Sequence, residues 1–344
     1  MTTTEAPTHD WAAALDGYLG ALAAGDRGTA LGLVRDLRRQ GYDVLEIITG
    51  LLGPAQRRIG ELWMSDTWSV AQEHAATAIS EAALHSLALE RDADLRAGAA
   101  ADAPLVVVSC VEQEWHALPA LMVAEHLRGA GYRVSYLGAN ASAQHLVRHI
   151  HELGPRAVLL SCSISAFLPL ARRQIEAVRE TGTPVVVGGT AFDAAGKRAQ
   201  TLGATAFAVS GPDVAGVVAG LPGAVGPAEQ LLHPGADEAF LVFGDRESLA
   251  DEVERLLLAS LAAAGLNDDE HPWLTALDDQ APHLVGAVAG ALVTGDERVA
   301  TDALGWAEVV LRHRGAPESI GLHLQRALAG ALREVPVAAS MLSA

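Results

Sequence analysis

The chain is poor in cysteine: Cys110 and Cys162 are its only two among 344 residues. Both end apolar runs that resemble strands, so we expect buried packing residues rather than a disulfide framework or a cysteine metal site. An uncharged apolar run of bilayer length is also missing, and residues 1–10 lack a basic segment that leads into an apolar one. These absences argue against a secretory leader or a membrane span, and we expect a soluble, cytoplasmic protein.

Basic residues are scarce as well, with 24 Lys and Arg against 42 Asp and Glu, a net charge of −18. Residues 229–344 carry 19 acidic and 7 basic side chains. Such a field repels phosphate backbones, so direct contact with DNA or RNA is not expected. Aromatic residues make up only 4%, but half of the residues are hydrophobic, which is enough for two or three domains with cores.

Three patterns follow one another along the chain. Helical periodicity from residue 11 to about 91 predicts an N-terminal bundle of four or five helices within residues 1–95. Within residues 104–225, five apolar runs alternate with helical patterns, which predicts a Rossmann-like, doubly wound parallel sheet. Its strands are expected at 105–110, 133–137, 157–162, 184–188 and 204–209, and its helices at 118–129, 143–152, 168–181 and 191–202.

A loose stretch rich in proline and glycine, residues 211–235, is expected to separate the sheet from an all-α domain at residues 236–335. Helical spacing recurs on one face at Val299, Ala303, Trp306 and Val310. The expected helices span 236–264, 272–278, 281–293, 297–312 and 317–333.

The loop between the first predicted strand and the helix that follows Pro119 carries Glu114 and His116. In an open α/β sheet such loops lie at the carboxyl ends of the strands, where ligands bind. A carboxylate near a histidine suits a metal ligand, because one ring nitrogen takes the metal while the carboxylate fixes the tautomer through the other. A surface loop with a solvated histidine is the alternative, and this loop alone does not exclude it.

Small and hydroxyl-bearing residues end the third and fourth predicted strands. Ser161 and Ser163 follow the third, and Gly188 and Gly189 follow the fourth. Small residues there leave a slot in which an elongated ligand could contact backbone, with hydroxyls to donate and accept hydrogen bonds.

In this order the residues resemble the motif D/E-x-H-x-x-G, S-x-L/T/S, G-G of the cobalamin-binding domain shared by methionine synthase, corrinoid methyl carriers and cobalamin photoreceptors. The resemblance covers roughly residues 11–221. It implies that His116 is the lower axial cobalt ligand and that Glu114 supports it. It also implies that the nucleotide tail of cobalamin lies in the slot between residues 161–165 and the glycine pair. Pro119 stands where the family has glycine.

The bundle resembles the photoreceptor branch of that family, whose W-x9-E-H motif matches Trp63, Glu73 and His74. The resemblance implies a cap over the upper corrin face, in which the indole shields an adenosyl ligand and Glu73 holds ribose hydroxyls. Core packing of Trp63 and Trp68, with His74 an ordinary helix residue, is the alternative. Met64 stands where the CarH-type repressors have a histidine that takes the upper cobalt face after light. Whether Met64 or His74 replaces it is open, and no helix-turn-helix is expected before Trp11.

The C-terminal segment is similar in order and length to the globin-like, bilin-binding domain of the photocobilins. That resemblance makes four residues candidates for a pocket holding a bilin such as biliverdin: His283, Trp306, His313 and His323. Arg312, Arg314 and Arg326 are available for propionates. Each has an alternative role in packing or at the surface. Since no cysteine follows Cys162, a bilin must be held non-covalently, and haem ligated by one of the histidines is a rival.

Together these features favour a light sensor that binds adenosylcobalamin and is not an enzyme. We expect its output to pass to a second copy, in a homo-oligomer such as a dimer, or to a downstream signalling protein. A corrinoid methyl carrier of a methyltransferase system is the alternative. A cobalamin mutase subunit is weakened because three small domains leave no place for a substrate barrel.

Overall fold

The computed structural model describes residues 10–95, 102–266 and 272–343. The chain divides into two compact units, Met1–Ala101 and Asp102–Ala344, which are described separately.

The first unit is the predicted helical bundle. Aspartates begin three of its helices: Asp10 accepts a hydrogen bond from the Ala13 amide, Asp26 from the Thr29 amide, and Asp43 forms a capping box with Glu46. A π-helical turn, Ile48–Leu52, joins α3 to α4. The helices are α1 (Trp11–Ala23), α2 (Arg27–Arg39), α3 (Val44–Ile47), α4 (Gly53–Met64) and α5 (Val70–Leu95).

The core of this bundle contains one hydroxyl pair among its aliphatic side chains. Tyr18 is fully buried and donates to Ser80 over 3.3 Å. Burial raises the pKa of Tyr18 to about 12, so the phenol stays neutral.

The second unit contains the predicted five-stranded parallel sheet, in the order β2-β1-β3-β4-β5. The three central strands, β1, β3 and β4, are buried on both faces, as a doubly wound sheet requires, whereas the edge strands β2 and β5 are half-buried. Helices α6 and α10 pack on one face, and α8 with the later helix α13 on the other. The elements are β1 (Leu105–Cys110), α6 (Ala117–Gly129), β2 (Arg133–Gly138), α7 (Ala143–Leu153), β3 (Ala157–Ser161), α8 (Leu168–Glu180), β4 (Val185–Gly188), α9 (Lys197–Thr201), β5 (Ala206–Phe207) and α10 (Val214–Ala219).

Two elements of the sheet are shorter than the sequence predicts. The expected strand 204–209 pairs only at Ala206 and Phe207, and the expected helix 191–202 is limited to α9. The chain after β4 instead crosses the β3 loop, where the Ala191 amide donates to the Cys162 carbonyl. Gly196, at φ +69°, then begins α9. This tertiary contact replaces the first turns of the predicted helix.

The stretch 211–235 is not loose, contrary to expectation. Three arginines donate hydrogen bonds to backbone carbonyls of this stretch: Arg156 to Leu221 and Pro222, Arg172 to Glu229, and Arg179 to Gly226. Each guanidinium satisfies backbone acceptors that the irregular chain leaves unpaired.

Six helices follow among the described residues, and their all-α character agrees with the prediction. The sixth, Pro336–Ser343, lies beyond the predicted domain end at residue 335, and two internal boundaries also differ. The expected helix 236–264 breaks at Asp245, and the expected break near residue 280 is absent because Pro282 lies inside one long helix. The helices are α11 (Gly235–Gly244), α12 (Arg246–Ala263), α13 (Pro272–Thr294), α14 (Arg298–His313), α15 (Ile320–Ala331) and α16 (Pro336–Ser343).

Helix α13 joins these helices to the sheet. Its residues 284–294 are buried, and they share one hydrophobic core with β3, β4 and α8. A Cβ on Gly286 would lie 2.7 Å from Ala166 Cβ, and one on Gly290 would lie 2.5 Å from the Ser165 carbonyl oxygen. Only glycine at these two positions allows so close an approach to the loop after β3.

None of the helices in the described ranges combines the length and the apolar character that crossing a bilayer demands.

Candidate functional site

The register of the sheet brings the predicted site residues to one edge. Cys110 pairs with Ser161, and Ser161 pairs with Gly188, so the loops after β1, β3 and β4 begin side by side. The loop after β1 is shaped by side chains from other elements. The Glu112 amide donates to the buried Gln174 Oε1, and the Gln113 amide donates to Asn140 Oδ1.

Glu114 is the centre of this edge and is completely buried. Its Oε1 accepts from the His116 amide over 2.9 Å and lies 2.6 Å from His116 Nδ1. Its Oε2 accepts from the amides of Ser163 and Ile164 at 2.7 and 3.0 Å. Burial by itself would raise the pKa of Glu114, but the hydrogen bonds and charge of His116 and the Ser163 amide lower it overall. The carboxylate is therefore ionised and fixed on both sides.

His116 immediately precedes α6, as its N-cap, and its side chain is 56% exposed. Because an ionised carboxylate only accepts hydrogen bonds, Nδ1 of the neutral imidazole carries the proton and Nε2 carries the lone pair. An imidazole with its tautomer fixed in this way is suited to ligate a metal through Nε2. A metal that is already bound in a macrocycle requires only one such nitrogen ligand from the protein.

The residues predicted to line a slot lie at the carboxyl ends of β3 and β4. Ser161 and Ser163 are half-buried, and the Ser163 carbonyl accepts from the Thr190 hydroxyl over 2.8 Å. Gly189 has φ +108°, and a Cβ there would lie 2.2 Å from the Cys162 carbonyl oxygen. The two strand ends thus approach each other as closely as backbone permits, and glycine is required for that approach.

Both cysteines lie behind this edge and are buried, as predicted. Burial raises the pKa of Cys110 to about 12 and that of Cys162 well above its usual range. Both thiols are therefore protonated and do not compete with His116 for a metal.

The sequence did not reveal Gln174, Asn140 or Arg246 as part of this edge. Gln174 Nε2 donates to the Ala141 carbonyl, and Arg246 Nη2 donates to Gln113 Oε1 over 2.9 Å. They come from three other elements, so no local motif marks them.

In the first unit, Glu73 and His74 contact each other at 2.7 Å, and the Thr77 hydroxyl donates to Glu73 Oε1 over 2.9 Å. Trp63 and Met64 are half-buried at the end of α4, which packs against α5. Trp68 is 7% exposed and belongs to the core, as the packing alternative held for it.

The C-terminal candidate residues make their contacts in different places. His283 stacks edge-on against Phe167, with ring centroids 5.8 Å apart, and burial followed by the charge of His116 lowers its pKa. His323 is buried against Ser260, with Nδ1 2.7 Å from the hydroxyl. His313 is exposed and contacts the Val309 carbonyl of its own helix, and Trp306 is 40% exposed. Of these side chains, His283 lies nearest to the edge that carries Glu114.

Two of the propionate candidates, Arg312 and Arg326, are exposed, and Arg314 is half-buried. Arg312 forms ion pairs with Glu308 and Glu318, Arg314 donates to the Val310 carbonyl, and Arg326 is exposed.

Two segments of the chain are similar to domains of the cobalamin-binding class. Residues 104–221 match the family model of the B12 binding domain, and residues 14–88 match a second B12 binding domain model. Each compact unit therefore contains one segment that is similar to B12-binding domains.

Two individual proteins that are similar to this chain are consistent with these domain matches. The HTH-type transcriptional repressor CarH of Myxococcus xanthus is 33% identical over 150 residues, which are 43% of this chain and 48% of the repressor. The chain thus matches about half the length of that curated relative. The solved monomethylamine corrinoid protein of Methanosarcina barkeri superposes with a TM-score of 0.51 at 16% identity, over 60% of this chain and 97% of that one. This second likeness concerns the fold.

Proposed function

We propose that the chain is a light-responsive photoreceptor that binds adenosylcobalamin and is not an enzyme. The observation that carries the proposal is the pair formed by Glu114 and His116 at the carboxyl edge of the sheet. The similarity to B12-binding domains over both units and to CarH supports it.

His116 is the proposed lower ligand of cobalt, through Nε2. Glu114 holds the proton on Nδ1 and, through its charge, makes the imidazole a better electron donor. Because Glu114 Oε2 is held by the amides of Ser163 and Ile164, its carboxylate cannot rotate without losing two buried hydrogen bonds. The ring is therefore oriented before the cofactor arrives, which favours binding.

The slot of Ser161, Ser163, Gly188 and Gly189 is the proposed site of the nucleotide tail. The two glycines add no side chain at the end of β4, and the two half-buried serines offer hydroxyls. Pro119, which replaces the family's glycine, lies at the third position of α6, where a missing N–H costs no helical hydrogen bond.

The bundle is the proposed cap over the upper corrin face. Trp63 would cover the upper ligand with its indole, and Glu73 would accept hydrogen bonds from ribose hydroxyls. Bound adenosylcobalamin would supply a cobalt–carbon bond that light can break. Trp63 and Glu73 would then no longer hold the adenosyl group, and the packing of the units or of subunits would change.

The proposed output is a protein partner, either a second copy of this chain or a downstream signalling protein. The net charge of −18 disfavours nucleic acid as the direct partner of this chain. CarH is by its name a repressor of the helix-turn-helix type, so DNA binding is a property of that relative.

A second tetrapyrrole in the C-terminal helices is a further part of the proposal. A bilin such as biliverdin would be held there without a thioether, in contact with one or more of the separately placed candidates His283, Trp306, His313 and His323. Biliverdin added to the purified chain should then give a red-absorbing band that survives gel filtration. Loss of that band on the column would refute this part and leave the cobalamin proposal intact.

Absorption spectra of the chain loaded with adenosylcobalamin, in the dark and after green light, test the main proposal. We expect light to convert the spectrum, and we expect His116→Ala to abolish the His-ligated form. His145→Ala, which removes an exposed imidazole on α7, should behave as the unaltered chain. A spectrum that ignores light but changes on adding a methyl donor would replace the photoreceptor by the alternative, a corrinoid methyl carrier.

A further inference from the structure

Arg246, the first residue of α12, reaches the loop that carries His116. Its Nη2 donates to Gln113 Oε1 over 2.9 Å, while Nη1 donates to the Phe243 carbonyl over 3.2 Å. The guanidinium carbon lies 4.5 Å from the centre of the Phe243 ring, and the exposed Glu247 lies 3.4 Å away. The guanidinium is therefore held by Phe243 at the end of α11 and by Glu247 of its own helix while it contacts Gln113.

Gln113 needs such support because its backbone has φ +67°, in the left-handed region. A residue with a side chain stays in that region only where its surroundings hold it. Asn140, itself at φ +52°, holds the backbone: its Oδ1 accepts from the Gln113 amide, and its own amide donates to the Glu114 carbonyl. Arg246 holds the side chain. This turn sets the direction in which Glu114 and His116 leave β1.

The second loop that holds Glu114 is also in contact with the C-terminal helices. Gly286 and Gly290 bring α13 against Ala166 and Ser165, and His283 packs on Phe167. The amides of Ser163 and Ile164, which bind Glu114, belong to the same loop. Each of the two loops that fix the imidazole therefore has its own contact with α12 or α13.

We propose that Arg246 is a positioning residue for the cobalt ligand, through which α12 controls how firmly His116 ligates cobalt. This inference rests on the proposed function, since it assumes cobalamin with His116 beneath it. Coupling between two sites is reciprocal. A partner that displaces α12 would thus weaken the bond from His116 to cobalt, and a change in cobalt ligation would in turn be felt at α12.

The experiment uses the full chain with ¹⁵N-labelled histidine, loaded with cobalamin and reduced to the cob(II) state. In its electron paramagnetic resonance spectrum, a labelled imidazole splits each cobalt line into a doublet, whereas the cofactor's own ¹⁴N benzimidazole gives a triplet. Arg246→Met keeps the aliphatic stem on Phe243 and removes the donor. We expect it to reduce the doublet, which is replaced by lines without nitrogen splitting or by the triplet of the cofactor's own base, and to weaken cobalamin binding by about tenfold.

Three further variants sharpen the result. Arg255→Met removes an exposed arginine of the same helix, paired with Glu252, and should leave the doublet intact. Gln113→Leu removes the same hydrogen bond from the other side and should reproduce Arg246→Met, and the double variant should be no worse than either. If circular dichroism shows that Arg246→Met does not fold, the spectrum and affinity of Gln113→Leu decide whether the inference holds.

The two hypotheses fail differently. A full doublet and unchanged affinity in Gln113→Leu and Arg246→Met, with loss of the doublet in His116→Ala, would overturn the inference and keep the proposed function. A triplet, or no cobalamin at all, in the unaltered chain would overturn the proposed function itself.

Discussion

Each unit contains a carboxylate paired with an imidazole, and the two pairs have almost the same length. Glu114 and His116 are 2.6 Å apart, and Glu73 and His74 are 2.7 Å apart. Glu114 is fully buried and also binds two amides from a loop about fifty residues further along the chain. The Glu73 side chain is 27% exposed, and its other described hydrogen bond comes from Thr77 on the same helix.

The comparison shows that contact distance does not distinguish a rigidly held pair from a surface pair. Long-range hydrogen bonds fix the carboxylate of Glu114, and the carboxylate fixes the ring. Neighbours on one helix leave the side chains of the Glu73 pair free to adopt other rotamers, so solvent and salt weaken it. Removing a carboxylate should therefore have very different consequences in the two units.

Glu114→Ala should have the largest effect. It leaves the amides of Ser163 and Ile164 buried without their acceptor, which should cost about 3–5 kcal/mol in the free energy of unfolding. Cobalamin affinity should fall about 10- to 100-fold. Hydrogen exchange of β1 and β3 peptides in denaturant measures the first effect, and titration with cobalamin the second. Glu252→Ala, at an exposed pair on α12, is the control. A cost below about 1 kcal/mol for Glu114→Ala would contradict the difference between the buried and the exposed carboxylate.

Gly189→Ala should come next. Its φ of +108° and the 2.2 Å approach to the Cys162 carbonyl oxygen should cost about 3 kcal/mol, because the β4 loop must move. Gly60 in α4 has open space around its Cα, and Gly60→Ala should instead stabilise the bundle by about 0.5–1 kcal/mol. Thermal unfolding of both variants checks the pair. Equal effects in the two units would show that the slot does not require its glycine.

Asp296 extends the comparison to a third carboxylate, which is held by the neighbouring Arg298 and by Arg198 from a distant part of the chain. Hydrogen bonds from Arg298 and then from Arg198 of α9 lower its pKa to about 2. A lowered pKa stabilises the folded state above the unfolded value of about 3.9, and this stabilisation is lost as the pH falls towards 2. Because solvent screens this partly exposed carboxylate, Asp296→Asn should cost about 1 kcal/mol at pH 7 and almost nothing at pH 2. Urea unfolding at several pH values measures this, and a cost independent of pH would exclude the ionic origin.

The sequence predicted the pair of Glu114 and His116 but not the residues that hold this pair in place. Glu114 and His116 stand two positions apart in a loop after an apolar run, so their pairing follows from local pattern. Their support does not: Gln174 lies 62 residues and Arg246 133 residues from the loop residue that each binds. Contacts of that separation depend on the topology and leave no spacing signal.

The fold shows the same limit. Buried parallel strands and amphipathic helices were predictable because apolar periodicity determines them. The break at Asp245 and the continuous helix through Pro282 were not, because burial of residues 284–294 against the β3 loop outweighs the local signal of proline. The shared core of sheet and C-terminal helices also depends on Gly286 and Gly290, which local propensity would count against a helix.

Glu73→Gln should have the smallest effect on stability, below about 0.5 kcal/mol, because the residue is partly exposed and its partners belong to its own helix. Glu81→Gln removes the carboxylate of another exposed pair on α5, with His85 at 3.7 Å, and is the matched control for stability. If Glu73 holds ribose hydroxyls, only Glu73→Gln should weaken adenosylcobalamin relative to methylcobalamin, by about three- to tenfold, since a methyl ligand offers no hydroxyl to hold. Calorimetric titration of both variants with both cofactors gives that ratio. An unchanged ratio would leave the Glu73 pair as a surface contact, and the upper face would then need a different explanation from the lower one.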